Sequence, residues 1–198
     1  MTGGQVRVQG LEVLVRRKTG RLTGWVGYTP ARNERQYDQL NQSRWYPYKY
    51  DRRHDASVVL IYQVRPHSTL SATWTYGTGN ALTLAQGNYQ VIDQSYGLIA
   101  GAPSDRYLYP EAEVYGDKNS YRLRAYHRLD LGATFTKSVK YGERIWRVGA
   151  YNAYSRHNPY YIYYSSGEND SYFTKGQRRL YQLSLFPILP ALSYERSF

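Results

Sequence analysis

Leu70-Ser-Ala-Thr-Trp-Thr-Tyr-Gly77, "LSATWTYG", alternates without a lapse: Leu70, Ala72, Trp74 and Tyr76 share one parity, and Ser71, Thr73, Thr75 and Gly77 the other. Successive side chains of a strand point to opposite faces, so this octet is a ribbon with one apolar and one polar side. The same rhythm returns in Leu129, Leu131, Ala133 and Phe135 against Arg128, Asp130, Gly132, Thr134 and Thr136. Working outward from these two, period-2 segments predict seven strands, at roughly 6–18, 22–31, 55–63, 69–77, 125–136, 144–154 and 180–198. The first is less clean, because Leu14 interrupts the polar face opposite Leu11, Val13 and Val15. The third, "ASVVLIYQ", is apolar on both faces and suits a soluble core strand equally well. The fold class expected is all-β and antiparallel.

The connections separate the possibilities. "RKTGR", "VRPHS" and "KSVKYGE" are short, whereas 32–54, 78–124 and 155–179 are long, and the two kinds alternate along the chain. Long loops without structure of their own are uncommon in compact soluble domains. They are expected in an up-and-down transmembrane β-barrel of the outer-membrane kind, with short turns on one side and long loops on the other. Such a wall turns its apolar side chains to lipid and its polar ones to a wet lumen, which accommodates a mean hydropathy of −0.70. Tyr28, Tyr62, Trp74, Tyr76, Trp146, Tyr154 and Tyr194 fall near strand ends, where interfacial aromatic girdles stand. A soluble sandwich core is the competing use for the same rings.

Composition points the same way. Tyrosine supplies 24 of 198 residues, cysteine is absent, and the formal net charge is +11. There is no disulfide framework or thiolate metal site. The positive excess suits anionic lipid, acidic ligands or nucleic acid, or else it is solvated loop charge. No apolar run approaches the ~20 residues of a spanning helix, and no signal peptide opens the chain. Taken alone that would indicate a cytoplasmic protein; taken as a piece of something longer it indicates nothing. Seven strands do not close a bacterial barrel, whose single-chain forms have even counts from eight. A missed strand, an association of chains, or a C-terminal segment of a larger barrel would each resolve this, and entry straight into a strand favours the last.

The other motifs carry less. "WYPYKYDRRHD" offers stacking faces at Trp45, Tyr46, Tyr48 and Tyr50 and charge at Lys49, Arg52 and Arg53, as a ligand-contact loop for acidic ligands or lipopolysaccharide phosphates. Packing of that loop on its own neighbours is the plainer expectation. Leu192, Tyr194 and Phe198 form an alternating aromatic terminus that anchors a last strand at an interface; Arg196 departs from it. "FPILP" sets Pro187 and Pro190 where the outward parity flips, from Leu183 and Leu185 to Leu192 and Tyr194, so a break or one-residue bulge is expected between Phe186 and Ala191. His54, His67, His127 and His157 have no metal-ligand spacing, and "SGENDS" lacks the calcium-loop pattern. Asp51 and Asp55, and Arg128 with Asp130, are read as ion pairs rather than acid–base groups. No catalytic signature is present, so no enzyme activity and no cofactor are expected.

"GLEVLVRRKTGRLTGWVGYT" (Gly10–Thr29), "YPYKYDRRHD" (Tyr46–Asp55), "LSATWTYGTGNALTL" (Leu70–Leu84), "YRLRAYHRLDLGATF" (Tyr121–Phe135), "YNAYSRHNPYYIYY" (Tyr151–Tyr164) and "LSLFPILPALSYERSF" (Leu183–Phe198) together resemble the last strands of TonB-dependent outer-membrane receptors, in the subgroup with an N-terminal carboxypeptidase-regulatory-like domain. The resemblance extends over nearly the whole of 1–198. It implies a 22-stranded barrel of a Gram-negative cell, with signal peptide, TonB box, plug and earlier strands lying upstream. It implies nutrient uptake, of siderophores or glycans for example, driven through the plug by TonB. Implied partners are outer-membrane lipid and lipopolysaccharide, the barrel-assembly machinery reading Leu192, Tyr194 and Phe198, and a lid lipoprotein, but not nucleic acid. These residues alone are not expected to transport. Two other readings stay open: a soluble all-β aromatic-rich module binding glycan or single-stranded nucleic acid, and a truncated reading frame with no stable fold.

Overall fold

The computed structural model describes residues 3–90, 111–165 and 179–197. Fifteen strands run in chain order: β1 (Gly4–Gly10), β2 (Val13–Arg17), β3 (Leu22–Tyr37), β4 (Tyr46–Pro47), β5 (His54–Arg65), β6 (Ser68–Gly77), β7 (Ala81–Leu82), β8 (Ala85–Gln90), β9 (Glu111–Tyr115), β10 (Tyr121–Arg122), β11 (Tyr126–Ser138), β12 (Glu143–Tyr151), β13 (Tyr161–Ser165), β14 (Arg179–Leu183) and β15 (Leu189–Ser197). Among the described residues, helical structure is confined to a three-residue turn at Asn41–Ser43, and no helix is long and apolar enough to cross a membrane. The molecule is all-β. Every recorded strand pair is antiparallel.

Two units divide the chain. One comprises Val8–Arg32, Arg52–Gly79 and Leu123–Phe198; the other comprises Met1–Arg7, Asn33–Asp51 and Asn80–Arg122. The first is organised by the main sheet, with neighbours in the order β1-β3-β5-β6-β11-β12-β15 and β2 also on β3. From β3 onward this is a meander. Each of the seven expected segments overlaps a strand on this path, the first being split at Leu11–Glu12, but with β2 and β4 on β3 the sheet has nine strands among the described residues, not seven.

Register shows why alternation was so visible. Across the sheet Leu22 faces Tyr62, Tyr62 faces Leu70, Leu70 faces Ala133, Ala133 faces Val148 and Val148 faces Leu192. A second row runs Val15, Val26, Val58, Trp74, Leu129. The opposite parity gives rows such as Gly27, Ser57, Thr75, Arg128. One face is apolar and the other mainly polar. Val59 and Ile61, which blurred the third predicted strand, stand on the polar side opposite Trp25 and Thr23. Gly24 occupies the apolar face where β5 comes close: its φ is +147° and a Cβ there would stand 2.0 Å from the Val59 carbonyl oxygen. Only glycine fits this position.

The apolar face is not sealed. Leu70, Leu131 and Phe135 are each 46 % exposed, and among the described residues the buried apolar side chains are Tyr46, Ala81 and Ala85 alone. A dry centre filled by Leu70, Trp74, Leu131 and Phe135, as a sandwich core requires, is not what the sheet builds.

The ends of the short hairpins step in one direction. The last pairs are Arg17–Gly24, Arg65–Ser68 and Ser138–Glu143. Gly24 lies in the row of Leu131, whereas Ser68 pairs with Phe135, four residues further, and Ser138 is seven further. This stagger is the register signature of tilted strands.

Two expectations need correction. The long connections are not bare loops: 78–124 carries β7 with β10 and β8 with β9, and 155–179 carries β13, which pairs β14. The segment 180–198 is not one strand. β14 pairs β13, β15 pairs β12, and Ser184–Ile188 between them is unpaired in either ladder. The parity flip at "FPILP" marks this change of partner rather than a one-residue bulge. Pro190, opposite Ala150, sits on the outermost strand of the sheet, where a missing N–H is tolerated.

Candidate functional site

The loop 45–53 was the leading candidate for ligand contact, and most of its rings are engaged internally. Tyr46 pairs with Arg35 in the short β3–β4 ladder and is 5 % exposed. Burial pushes its phenol pKa up, nearby Tyr37 adds to the rise, and Arg35 opposes it. Arg7 lies over the Trp45 ring, 4.6 Å from its centroid, and donates to the buried Glu34 carboxylate at 2.6 Å. Arg35 covers Tyr48 at 3.8 Å, and Tyr48 meets Tyr50 edge-on at 5.6 Å. Tyr50 is the one ring of the four left largely exposed, with Lys49 Nζ 5.4 Å from its centroid. Arg52 pairs with Asp55 at 3.2 Å, and the Arg53 carbonyl accepts the Ala31 N–H at 3.1 Å. This stretch is built as a packed loop presenting Tyr50 and Arg52, not as an open aromatic platform.

Its anchor is Asp51, 1 % exposed. One carboxylate oxygen accepts the Asn33 N–H at 2.6 Å and the other accepts Arg122 Nη2 at 2.6 Å; Arg122 Nη1 donates to the Asp51 carbonyl at 2.5 Å. Asn119 supports the same unit, donating its N–H to Thr83 Oγ1 at 3.0 Å and its amide to the Pro47 carbonyl at 2.9 Å. A charge this deep is tolerable only because each oxygen has a donor.

On the polar face of the main sheet Arg128 gathers a second cluster. Nε and Nη2 donate to Asp130 at 3.0 and 2.8 Å, and Nη1 donates to the hydroxyls of Tyr126 at 3.0 Å and Tyr151 at 2.6 Å. The guanidinium also stacks 4.1 Å over the Tyr151 ring. A cavity of about 190 Å³ adjoins, walled by Tyr126, Arg128, Tyr151, Asn158, Tyr160 and Phe186. That is below the ~300–1,000 Å³ of ordinary small-molecule sites. With its donors already turned on Asp130 and two phenols, Arg128 acts as a strut. Sequence reasoning had paired Arg128 with Asp130 but missed Tyr126 and Tyr151; Tyr126 shares the parity of Arg128 and Asp130, which was the available signal.

Asn152 was missed altogether. It is 1 % exposed with φ +53°, a left-handed conformation that Asn tolerates well. Its amide donates to the carbonyls of Arg156 at 3.0 Å and Phe186 at 2.9 Å, and its Oδ1 accepts the Arg156 N–H at 2.9 Å. Asn152→Ala deletes three buried bonds and is expected to destabilise the sheet unit by about 2–3 kcal/mol. Asn152→Gly, which keeps the backbone conformation, should recover only a few tenths to ~1 kcal/mol of that. Denaturant unfolding of both variants beside the parent measures the difference.

The apolar face itself is the most extensive feature. Rings mark its two margins. Toward the long connections, Tyr28 Oη hydrogen-bonds His54 Nδ1 at 2.7 Å, Tyr154 Oη hydrogen-bonds His127 Nδ1 at 2.8 Å, and Trp74 stacks on Tyr76 at 6.0 Å. Toward the short turns stand Phe135 and the Trp146–Tyr194 pair, whose centroids are 4.6 Å apart, with Arg21 over Tyr62 at 5.5 Å. Leu192 and Tyr194, two members of the expected terminal signature, face outward here, 70 % and 48 % exposed; Phe198 lies outside the described residues, as does "SGENDS". No group of metal-ligating side chains is assembled among the described residues. No protein-family model matches the chain, and neither a curated protein nor a solved structure does.

Proposed function

We propose that the chain is a wall segment of an outer-membrane β-barrel of the TonB-dependent receptor kind, its apolar face in hydrocarbon and its polar face toward a wet lumen. The observation that carries this is the two-faced sheet: a continuous apolar surface left open, opposite a polar surface whose Arg128, Asp130, Tyr126 and Tyr151 satisfy one another. A soluble module would hold these faces the other way round. Dimensions agree. Eight residue steps separate His127 from Phe135, about 27 Å along a strand. At a tilt of ~40° that spans about 21 Å, near the ~25 Å apolar band of such barrels. The stagger of the hairpin ends supports the same tilt.

In hydrocarbon the free edges of β15 and of the β1–β2 strand must be paired, since each unsatisfied backbone group there costs several kcal/mol. Closure therefore takes further strands, and the resemblance supplies them as the remainder of a 22-stranded barrel. On this reading the segment contributes barrel wall, lumen lining and outer loops to nutrient uptake, and the plug and TonB supply the drive. Folding should depend on detergent or lipid, and the folded chain should migrate differently on a gel before and after heating. A sharp, reversible melt in plain buffer overturns the proposal.

A further inference from the structure

We propose that the depression over Gly27, on the polar face of the main sheet, binds a short zwitterionic peptide, with its ammonium on Glu12, its carboxylate on Arg16 and an apolar side chain against the Trp25 ring. The site goes beyond the membrane-wall reading and stands on the register of the sheet, whatever lies against the apolar face. Leu14, Gly27 and Ser57 are in register across β2, β3 and β5, and Arg16, Trp25 and Val59 form the next row toward the short turns. On the other side Thr29 pairs with Asp55, and Glu12 stands one step before Val13, on the parity of Leu14 and Arg16. Gly27 has no side chain to fill the middle of this grid. Trp25 leans across it, so that a Cβ on Gly27 would stand 3.3 Å from Trp25 Cζ3 and 3.8 Å from Leu14 Cδ1. The resulting cavity of about 520 Å³ lies within the ~300–1,000 Å³ of ordinary small-molecule sites.

The lining selects the ligand. Leu14, Trp25, Val59 and Ile61 form an apolar island on a face that is otherwise mainly polar, and the Leu14 that interrupts the alternation of the first strand is one wall of the cavity. Among the described residues the Trp25 ring has no aromatic or cationic partner, and neither Glu12 nor Arg16 has an ion-pair or hydrogen-bond partner. Asp55, the other acid beside the cavity, is already held by Arg52 at 3.2 Å. One unpaired charge of each sign thus flanks an aromatic wall. Four residue steps at strand spacing put the Cα atoms of Glu12 and Arg16 about 13 Å apart. An extended tripeptide spans about 10 Å, which leaves each of its termini within reach of one of these side chains. A ligand of single charge would leave the opposite corner unused, whereas a free peptide pairs with both. The hydroxyls of Thr29 and Ser57 between the two corners suit the peptide groups.

The test is ligand-observed NMR of glycyl-phenylalanyl-glycine with the folded full chain, in detergent or in plain buffer as its folding requires. Broadening of the phenyl signals reports binding. Acetylating the amine or amidating the carboxylate should each weaken binding by about fivefold, as one exposed ion pair allows. Glu12→Gln and Arg16→Gln, at exposed positions where substitution leaves the fold intact, assign the two ends. Glu12→Gln should cancel the effect of acetylation and keep that of amidation, and Arg16→Gln should do the reverse. Trp25→Leu should lower affinity by on the order of tenfold. Equal affinity for the blocked and free tripeptides, losses that do not follow the crossed pattern, or no broadening at millimolar tripeptide overturn the site. None of these outcomes bears on the wall reading, which stands or falls on detergent-dependent folding.

Discussion

Asp51→Ala is expected to destabilise the unit containing Asn33–Asp51 and Asn80–Arg122 by about 3–5 kcal/mol, the range for removing one partner of a buried ion pair. Burial is what makes the figure large: the Asp51 side chain is 1 % exposed and that of Arg122 28 %. Removing the carboxylate takes the Nη2 acceptor from Arg122 and leaves the Asn33 N–H without its acceptor. Arg44–Asp117, at 2.8 Å in the same unit, is the control. Its side chains are 61 % and 48 % exposed, and Arg44→Ala should cost no more than about 1 kcal/mol. Protease protection of the folded chain against denaturant reads both. The double replacement Asp51→Leu with Arg122→Met should recover most of the loss, because the penalty lies in the unpaired charge more than in the absent attraction. Equal effects of Asp51→Ala and Arg44→Ala would show that the carboxylate is not an anchor.

This pair also shows where sequence reading runs out. Parity is a local property, and β6 and β11 display it alone, so Leu70–Gly77 and Leu129–Thr136 could be assigned from eight residues apiece; β5, with Val58 to Ile61 apolar on both faces, could not. Turn positions were legible for a similar reason: the short hairpins are two strands of opposite direction with nothing between them. The choice of Arg122 as partner for Asp51 spans 71 residues and depends on how β7 and β10 meet, which no local pattern encodes. Trp45 and Tyr48 looked like open stacking faces because their covers, Arg7 and Arg35, come from other strands. The last strand was overextended because Leu183 and Leu185 alternate as well as Leu192 and Tyr194 do. The signal was the mismatch of parity across Pro187, which implied an interruption correctly and its cause wrongly.

Leu131→Arg decides what surrounds the apolar face. Leu131 stands mid-band, between Ala72 and Ala150 in register, with Leu129 and Ala133 before and after it on the same parity. If hydrocarbon lies against it, an arginine there costs about 2–4 kcal/mol. The same substitution nearer the ring margin, Tyr194→Arg, should cost about 0–1 kcal/mol beyond the lost contact with Trp146, because the guanidinium reaches the interface. Ser71→Arg, one step from the Leu131 row in register but on the polar face opposite Gly132 and Ile61, reports the cost of the new side chain in water. A residue 46 % exposed to water normally tolerates arginine within about 0.5 kcal/mol, so water on the apolar face predicts a flat series across the three sites. Hydrocarbon predicts a gradient that peaks at Leu131 and vanishes at Ser71. Denaturant unfolding from lipid vesicles measures it. A flat series would remove the membrane from the account even if the sheet itself were as described.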